Sequence, residues 1–289
     1  VRVANLKGRL ALLTGDGAVD VEHASSGGFG PDPSAVYERW DEFTAWVAGL
    51  PRLPAPEPYS PADLRAPVPA PRQVFAIGLN YHAHAAESGL PAPERPVVFT
   101  KFPTCITGPY GDIALPEGGH TDWEVELVAV IGRTARHVAE ADAWDHVAGL
   151  TAGQDLSERR TQLAGPAPQF SLGKSLPGFG PTGPCLVTVD EFDDPDDVAL
   201  GCRIGAEHLQ RARTGDMIFS VPRLVAALSA LLTLLPGDLV FTGTPAGVGL
   251  GRTPQRWLAP GDELVTQVET IGEMRHRLVT AHAGRGAVS

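Results

Sequence analysis

The sequence predicts a β-rich α+β protein, with a small N-terminal α+β region followed by a larger strand-rich one. Three observations lead there. Residues 1 to about 20 read as a hairpin, with Arg9-Leu10-Ala11-Leu12-Leu13 and Ala18-Val19-Asp20-Val21 flanking the turn Gly15-Asp16-Gly17. Residues 33 to 50 read as one amphipathic helix, capped by Asp32 or Ser34, with Val36, Trp40, Phe43, Val47 and Leu50 at helical spacing. From Val74 onward the chain alternates short apolar runs with long loops.

The elements follow in order. Pro51 to Pro71 holds many prolines and little apolar periodicity, so it reads as a linker. The boundary falls near residue 66, dividing the chain into 1–66 and 67–289. Phe75–Gly78 and Val97–Thr100 read as strands, Trp144–Leu150 as a helix, and Cys185–Val189 as a strand. The following acidic run Asp193-Asp194-Pro195-Asp196-Asp197 reads as a solvated turn, since it lacks the glycine and distal glutamate of a calcium loop. Ser220-Val221-Pro222 opens a helix, with a cap and a first-turn proline, that runs to Leu235 and stops at Pro236-Gly237. Leu239–Thr242 is then a strand leading into Gly243-Thr244-Pro245-Ala246-Gly247-Val248-Gly249. That loop lacks the Lys-Ser/Thr of a phosphate loop, and it suits close backbone approach to a ligand.

Composition narrows the classes of function. The 289 residues, 43% hydrophobic and 20% charged, suit a soluble globular chain with a sizeable core. A net charge of -11 disfavours nucleic acid and anionic membrane as partners, and means that an anionic substrate needs a local cation. Cys105, Cys185 and Cys202 are odd in number and widely spaced, with neither zinc spacing nor a disulfide framework. A reducing cytoplasm is the expected compartment. The start Val1-Arg2-Val3-Ala4-Asn5 shows no apolar leader, and the apolar run Leu224–Leu235 is too short to span a bilayer.

The most informative stretch is Asp122-Trp123-Glu124-Val125-Glu126-Leu127-Val128-Ala129-Val130-Ile131, closed by Gly132. Strand periodicity puts Trp123, Val125 and Leu127 on one face and Glu124, Glu126, Val128 and Val130 on the other. The two carboxylates, roughly 7 Å apart along the strand, therefore share a face that becomes apolar within a few residues. Like charges on a buried face repel and lose hydration, which a cation between them would offset. A hard divalent metal held by oxygens is the natural candidate.

Four further clusters accompany this strand. Asn80-Tyr81-His82-Ala83-His84-Ala85-Ala86-Glu87 sets His84 and Glu87 at i and i+3, on one face of a helical turn. Gln154-Asp155-Leu156-Ser157-Glu158-Arg159 places a carboxylate and an arginine one helical turn apart. Gly173-Lys174-Ser175 and the Thr242-Gly243-Thr244-Pro245 loop complete the set. In this order the motifs resemble the fumarylacetoacetate hydrolase family over roughly residues 72 to 275. Those that carry the resemblance are Gly78-x-Asn80-Tyr81-x-x-His84-x-x-Glu87, Asp122-x-Glu124-x-Glu126, Asp155-x-x-x-Arg159-x-x-Gln162, Gly173-Lys174-Ser175 and Thr242 to Gly249. Gln154 before Asp155, and Ile204-Gly205-Ala206-Glu207, depart from the family's usual Asn-Asp and Asn-Gly-Glu.

The resemblance implies a mixed β-roll catalytic domain, a small N-terminal domain and a homodimer. It implies that Glu124, Glu126 and Asp155 hold Mg²⁺, with Mn²⁺ or Ca²⁺ as alternatives. It implies a small keto-acid substrate, with His84, Glu87 and Lys174 catalytic and Arg159, Gln162 and Thr244 binding substrate. The leading expectation is hydrolysis of a carbon–carbon bond in a β-diketo acid of acylpyruvate or fumarylpyruvate type. Oxaloacetate decarboxylation and isomerisation of 2-hydroxyhepta-2,4-diene-1,7-dioate use the same enolate chemistry. A non-catalytic metal- or ligand-binding module is the alternative from another class, and it predicts a missing ligand or dyad. Ser88-Gly89-Leu90-Pro91, after the His84 helix, is expected to act as a lid, and His82 to be exposed or structural.

Overall fold

The computed structural model describes residues 1–281. Two sheets carry the architecture. The larger has eleven strands and follows the order Gly17–Asp20, Arg9–Thr14, Arg2–Leu6, Gly180–Val187, Val147–Gln154, Val125–Ile131, Leu239–Phe241, Val74–Gly78 and Val97–Thr100. Leu64–Arg65 and Ile106–Thr107 pair off this path. The smaller sheet orders Glu207–Arg213, Ala199–Ile204, Glu263–Val268, Gly272–Thr280 and Tyr110–Leu115. Both sheets are mixed: Leu239–Phe241 runs parallel to Val74–Gly78, and Gly272–Thr280 parallel to Tyr110–Leu115. The expected β-rich α+β class is the observed one.

Val125–Ile131 is central in the larger sheet, and every residue in it is buried. The expected alternation holds, but each face has its own cover. Val125, Leu127, Ala129 and Ile131 pack with Leu264, Val268 and Met274 of the smaller sheet and with Leu224 and Leu228 of the long helix. Val128 and Val130 pack with Tyr37, Trp40 and Phe43 from the N-terminal region. That region also feeds the sheet directly, because Arg2 and Val3 pair with Val187 and Leu186.

Several elements differ from expectation for identifiable reasons. Residues 33 to 50 form a 3₁₀ turn, Ala35–Arg39, and then a helix, Trp40–Gly49. Asp32 Oδ1 accepts from Ser34 N at 2.8 Å, while the Ser34 side chain caps nothing. Trp144–Leu150 is not a helix: Glu140–His146 is a 3₁₀ segment and Val147–Gln154 a fully buried strand. Gly149 decides this locally, since a Cβ there would lie 2.4 Å from the Val187 carbonyl, so only glycine allows the strands to approach. The long helix is Val221–Leu231, with Ser220 Oγ accepting from Arg223 N at 3.4 Å. It stops short of Leu235 because Leu234 is drawn into an antiparallel bridge with Ala135.

His276 lies buried in Gly272–Thr280, with Nε2 at 2.9 Å from the Gly108 carbonyl. Burial lowers its pKa from 6.5 to about 4, outweighing the upward pull of that carbonyl. Between those values the unfolded chain binds a proton that the folded one does not. Stability therefore falls as pH drops from about 6.5 toward 4, by up to about 3 kcal/mol from this residue. Urea denaturation across that range should show a shallower acid loss for His276→Gln than for the parent.

Candidate active site

Register explains how distant carboxylates meet. Val125 pairs with Gln154 and Glu126 with Gly153. One step further along the ladder, Asp155 N donates to the Glu124 carbonyl at 2.9 Å. Glu124 and Asp155 are thus cross-strand neighbours, and Glu126 follows on the same face. One oxygen from each of Glu124, Glu126 and Asp155 lies within 4.8 Å of the other two, and all three residues are buried.

Buried cations surround the cluster. Lys174 Nζ donates to Glu124 Oε2 and Asp155 Oδ2, both at 2.6 Å. Arg159 Nη2 reaches Glu124 Oε1 at 2.7 Å. Arg159 also grips Asp122 Oδ2 through Nε and Nη2, at 2.9 and 2.7 Å. Lys101 Nζ donates to Asp155 Oδ1 at 2.7 Å and to the Lys174 carbonyl. Burial alone would push Glu124 up, yet Lys174, Arg159 and His84 hold it down at about 2. Glu126 is the exception: burial, Asp155 and Glu124 push its carboxyl well above the usual range. Its hydrogen-bond partner is Gly243 N, 2.8 Å from Oε2, and no cation pairs with it among the described residues.

These residues fit a hard divalent cation. The donors are all carboxylate oxygens, and one of the three, Glu126, is held against two like charges with no ion-pair partner among the described residues, Lys174 only partly offsetting them. Asp155 does not reach Arg159 through a helical turn as expected. It precedes the short strand Ser157–Glu158, and the helix begins only at Arg159.

His84 and Glu87 share one face of the helix His82–Glu87, with Nδ1 and Oε2 3.3 Å apart. Both Glu87 oxygens also accept from Gly247 N, at 3.1 Å each. The dyad is therefore tied to the Thr242–Gly249 loop. Gly247 must be glycine twice over: its φ is +108°, and a Cβ would lie 2.3 Å from the Leu209 carbonyl. Gln162 Oε1 accepts from Arg159 Nη1 at 2.8 Å. Thr244 sits deeper than a simple substrate contact, its hydroxyl donating to the Val125 carbonyl at 2.9 Å and accepting from Gln210 Nε2 at 2.8 Å. His82 is exposed. His120 stacks on Trp257 with ring centroids 4.7 Å apart.

Lys101, Gln210 and Asp122 join the site without a role that the sequence alone points to. Gln210 joins the acidic strand to the loop: Oε1 accepts from Val125 N at 2.9 Å, and Nε2 also donates to the Pro245 carbonyl at 2.7 Å. Besides Arg159, Asp122 accepts from Gly249 N at 2.6 Å and Leu250 N at 3.0 Å. The motif Asp122-x-Glu124-x-Glu126 was the available signal for Asp122. Gln154, the departure beside Asp155, accepts from Glu124 N at 3.0 Å and donates to Thr266 Oγ1 at 3.0 Å, so it steadies the ligand strand.

The mixed-sheet fold and the buried acidic cluster define a class of enzyme that works around carboxylate-rich, cation-compatible sites. Residues 73–279 match the fumarylacetoacetate (FAA) hydrolase C-terminal family, and the chain belongs to that family of enzymes. Human mitochondrial oxaloacetate tautomerase FAHD2A is 40% identical over 236 residues, covering 81% of this chain and 74% of that protein. A Mycobacterium smegmatis protein provisionally assigned as HpcE is 56% identical, with a TM-score of 0.94 over 98% of this chain and 100% of that one. Maleylpyruvate hydrolase from Sphingobium sp. SYK-6, solved with manganese(II) and pyruvate, is 29% identical, with a TM-score of 0.80 over 98% and 100% of the two chains.

Two outcomes test the site. Glu124→Gln and Asp155→Asn should each reduce Mn²⁺ binding by at least 100-fold in calorimetric titration, because each removes an anionic oxygen donor. Gly247→Ala should leave Mn²⁺ affinity within about threefold and lower turnover at least tenfold, since it displaces the loop that holds Glu87 rather than the carboxylates.

Proposed function

We propose that the chain is a divalent-metal-dependent hydrolase that cleaves a carbon–carbon bond in a small β-diketo acid of acylpyruvate or fumarylpyruvate type. The observation that carries this reading is the His84–Glu87 dyad poised beside the buried Glu124–Glu126–Asp155 cluster. We assign Mg²⁺ to that cluster, with Mn²⁺ and Ca²⁺ as alternatives that its oxygen donors also accept. The neighbour solved with manganese(II) and pyruvate supports both the cation and a keto-acid ligand.

Charge supports an anionic substrate. Four buried carboxylates, Asp122, Glu124, Glu126 and Asp155, face three buried cations, Lys101, Arg159 and Lys174. A divalent ion turns this negative excess into a positive one, suited to a keto-acid carboxylate. Glu124, Glu126 and Asp155 would hold the cation, which would supply Lewis-acid withdrawal of electron density from a bound keto acid.

The chain's own residues supply the remaining chemistry. Glu87 engages Nδ1 of His84, which leaves Nε2 to take a proton from water. The water oxygen bonds to the substrate's acyl carbonyl carbon. The adjacent carbon–carbon bond then breaks, its electron pair passing to the keto-acid fragment, and His84 returns the proton to that fragment. Lys174 and Arg159 offset the negative charge that develops, and Gln162 and Thr244 complete the binding set by fixing Arg159 and the loop. Ser88–Pro91 follows the dyad helix as an exposed segment, and we assign it the role of lid.

A second reading is favoured by the tautomerase name of the 40%-identical human relative: the same dyad moves a proton on oxaloacetate, or the site decarboxylates it, without water attack. Isomerisation of 2-hydroxyhepta-2,4-diene-1,7-dioate needs only proton transfer as well. A non-catalytic module is disfavoured, because no carboxylate ligand and neither dyad member is missing. We further propose a homodimer in a reducing, cytoplasmic setting. Three buried free cysteines support the compartment, and exposed Val98 and Phe102 at the edge strand Val97–Thr100 offer apolar contact surface. No helix among the described residues is long and apolar enough to cross a membrane.

Assays of acylpyruvates, oxaloacetate and hydroxymuconate-type dioates, each with Mg²⁺ and with chelator, separate these reactions. Mg²⁺-dependent cleavage of an acylpyruvate, with oxaloacetate turned over at least tenfold more slowly, is the expected pattern. His84→Ala should lower that cleavage at least 100-fold while Mn²⁺ binding stays intact, and a parallel loss of metal would overturn the assignment of His84 as base.

A further inference from the structure

Of the three cations buried around the cluster, Lys101 is the one that the proposed reaction leaves unused. No part of its side chain is exposed. Its stem runs beside Gly180, where a Cβ would lie 3.3 Å from Lys101 Cε, and its ammonium lies 5.9 Å from the centroid of the Phe241 ring. Nζ donates to Asp155 Oδ1 at 2.7 Å and to the Lys174 carbonyl. The next residues are tied as well, Phe102 N donating to Ser175 Oγ at 2.9 Å. Residues 101–102 and 174–175 are thus joined at two successive positions.

Charge balance does not account for a lysine at this place. Asp155 already has a cation, because Lys174 Nζ donates to Oδ2 at 2.6 Å. Glu126 is the carboxylate of the cluster without an ion-pair partner among the described residues, and Lys101 makes no ion pair with it. A second ammonium on Asp155 therefore adds more geometry than neutralisation. The last torsion of an aspartate is broad, and one donor on each oxygen fixes the plane of the carboxylate. A carboxylate offers about four lone-pair sites, so two ammonium donors leave the others free for a cation.

We infer that Lys101 is a positioning residue: its ammonium sets the orientation of the Asp155 carboxylate toward the cation and also holds the stretch of backbone from which Lys174 reaches the cluster. The inference rests on the reading of Glu124, Glu126 and Asp155 as a cation site. One ligand of that site and the lysine assigned to catalysis then share a single anchor, so neither shifts alone.

The test is calorimetric titration of the parent protein, Lys101→Met and Lys101→Arg with Mn²⁺, beside circular dichroism of the metal-free proteins. The two roles open to Lys101 predict opposite signs. Loss of a nearby positive charge alone would tighten Mn²⁺ binding, whereas loss of an orienting bond would weaken it. Methionine keeps most of the stem and removes the ammonium. Arginine keeps the charge, but its planar fork does not reproduce a point donor between Asp155 and the Lys174 carbonyl. Partners that orient metal ligands are typically worth about 10–100-fold in metal affinity, and both variants should bind Mn²⁺ that much more weakly than the parent. Lys101→Met affinity tighter than the parent's, or within twofold of it, overturns the inference. Parental affinity in Lys101→Arg overturns it too, because charge would then suffice. If Lys101→Met does not fold, Lys101→Arg decides. A crystal structure of the Mn²⁺-loaded parent tests the same point with no substitution. Lys101 Nζ should stay on Asp155 Oδ1, and a separation beyond about 3.5 Å, too long for a hydrogen bond, overturns the inference. Absence of heat with the parent overturns the cation reading itself, and the role of Lys101 with it.

Discussion

The structure depends on keeping four carboxylates together out of water. Asp122, Glu124, Glu126 and Asp155 are all buried. Isolated buried carboxylates would be expelled or protonated, because the interior does not repay their lost hydration. Here Arg159, Lys174 and Lys101 compensate through bonds of 2.6–2.9 Å. Removing one partner from such a cluster would cost about 3–5 kcal/mol, because it strands a buried charge. Compensation is also incomplete by one, and the shortfall falls on Glu126. A fully neutralised cluster would have little affinity for a cation. This one is held together by three cations and carries one carboxylate more than they match, as the proposed cation site requires.

The surrounding fold fixes geometry more than it adds charge. Gln154, Gln210, Thr242 and Asn80 are buried amides and a hydroxyl that bind backbone groups of the acidic strand and its neighbours. Gln154 takes Glu124 N, Gln210 takes Val125 N, and Thr242 donates to the Leu127 carbonyl at 2.8 Å. Asn80 Nδ2 donates to the Thr242 carbonyl at 2.7 Å, and Oδ1 accepts from Phe219 N at 2.8 Å. Each amide bridges two segments far apart in sequence, so the loops are placed by the same bonds that place the ligand strand. Gly243 lets this happen at close range: its φ is +100°, and a Cβ would lie 2.6 Å from that of Asn80.

What could be read from the sequence follows from which residues announce their environment. Glu124 and Glu126 did, because period-two spacing set them on a face shared with Val128 and Val130. His84 and Glu87 did, through i, i+3 spacing. Lys101 did not: a lone lysine after a strand looks like any surface lysine, and its burial comes from Asp155, more than fifty residues away. Gln210 did not either: it stands in the mostly polar and charged run Glu-His-Leu-Gln-Arg-Ala-Arg, and its burial comes from partners far along the chain, Val125, Thr244 and Pro245. The expected helix Trp144–Leu150 overlaps the strand Val147–Gln154 because a strand covered on both faces loses its alternation, and its small residues match helical spacing as well.

The two halves of the site are built to different rigidity. Glu126 lies in a central strand, and Glu124 and Asp155 flank the ends of that strand and its neighbour, which are paired over seven residue pairs and covered on both faces. The dyad rides on a six-residue helix, too short to be stable alone. What holds that helix is tertiary: buried Ala85 and His84, the Tyr81–Met217 bridge, and the Glu87 carboxylate on Gly247 N. Ser88 to Leu90, just beyond it, are exposed. The base role proposed for His84 suits such a mounting, because it requires approach to substrate, and the cation role proposed for the carboxylates suits the stiffer one. Glu87 links the two, because its anchor loop is the one that Gln210 fastens to the acidic strand. The dyad helix is thereby tied to the strand that carries the carboxylates.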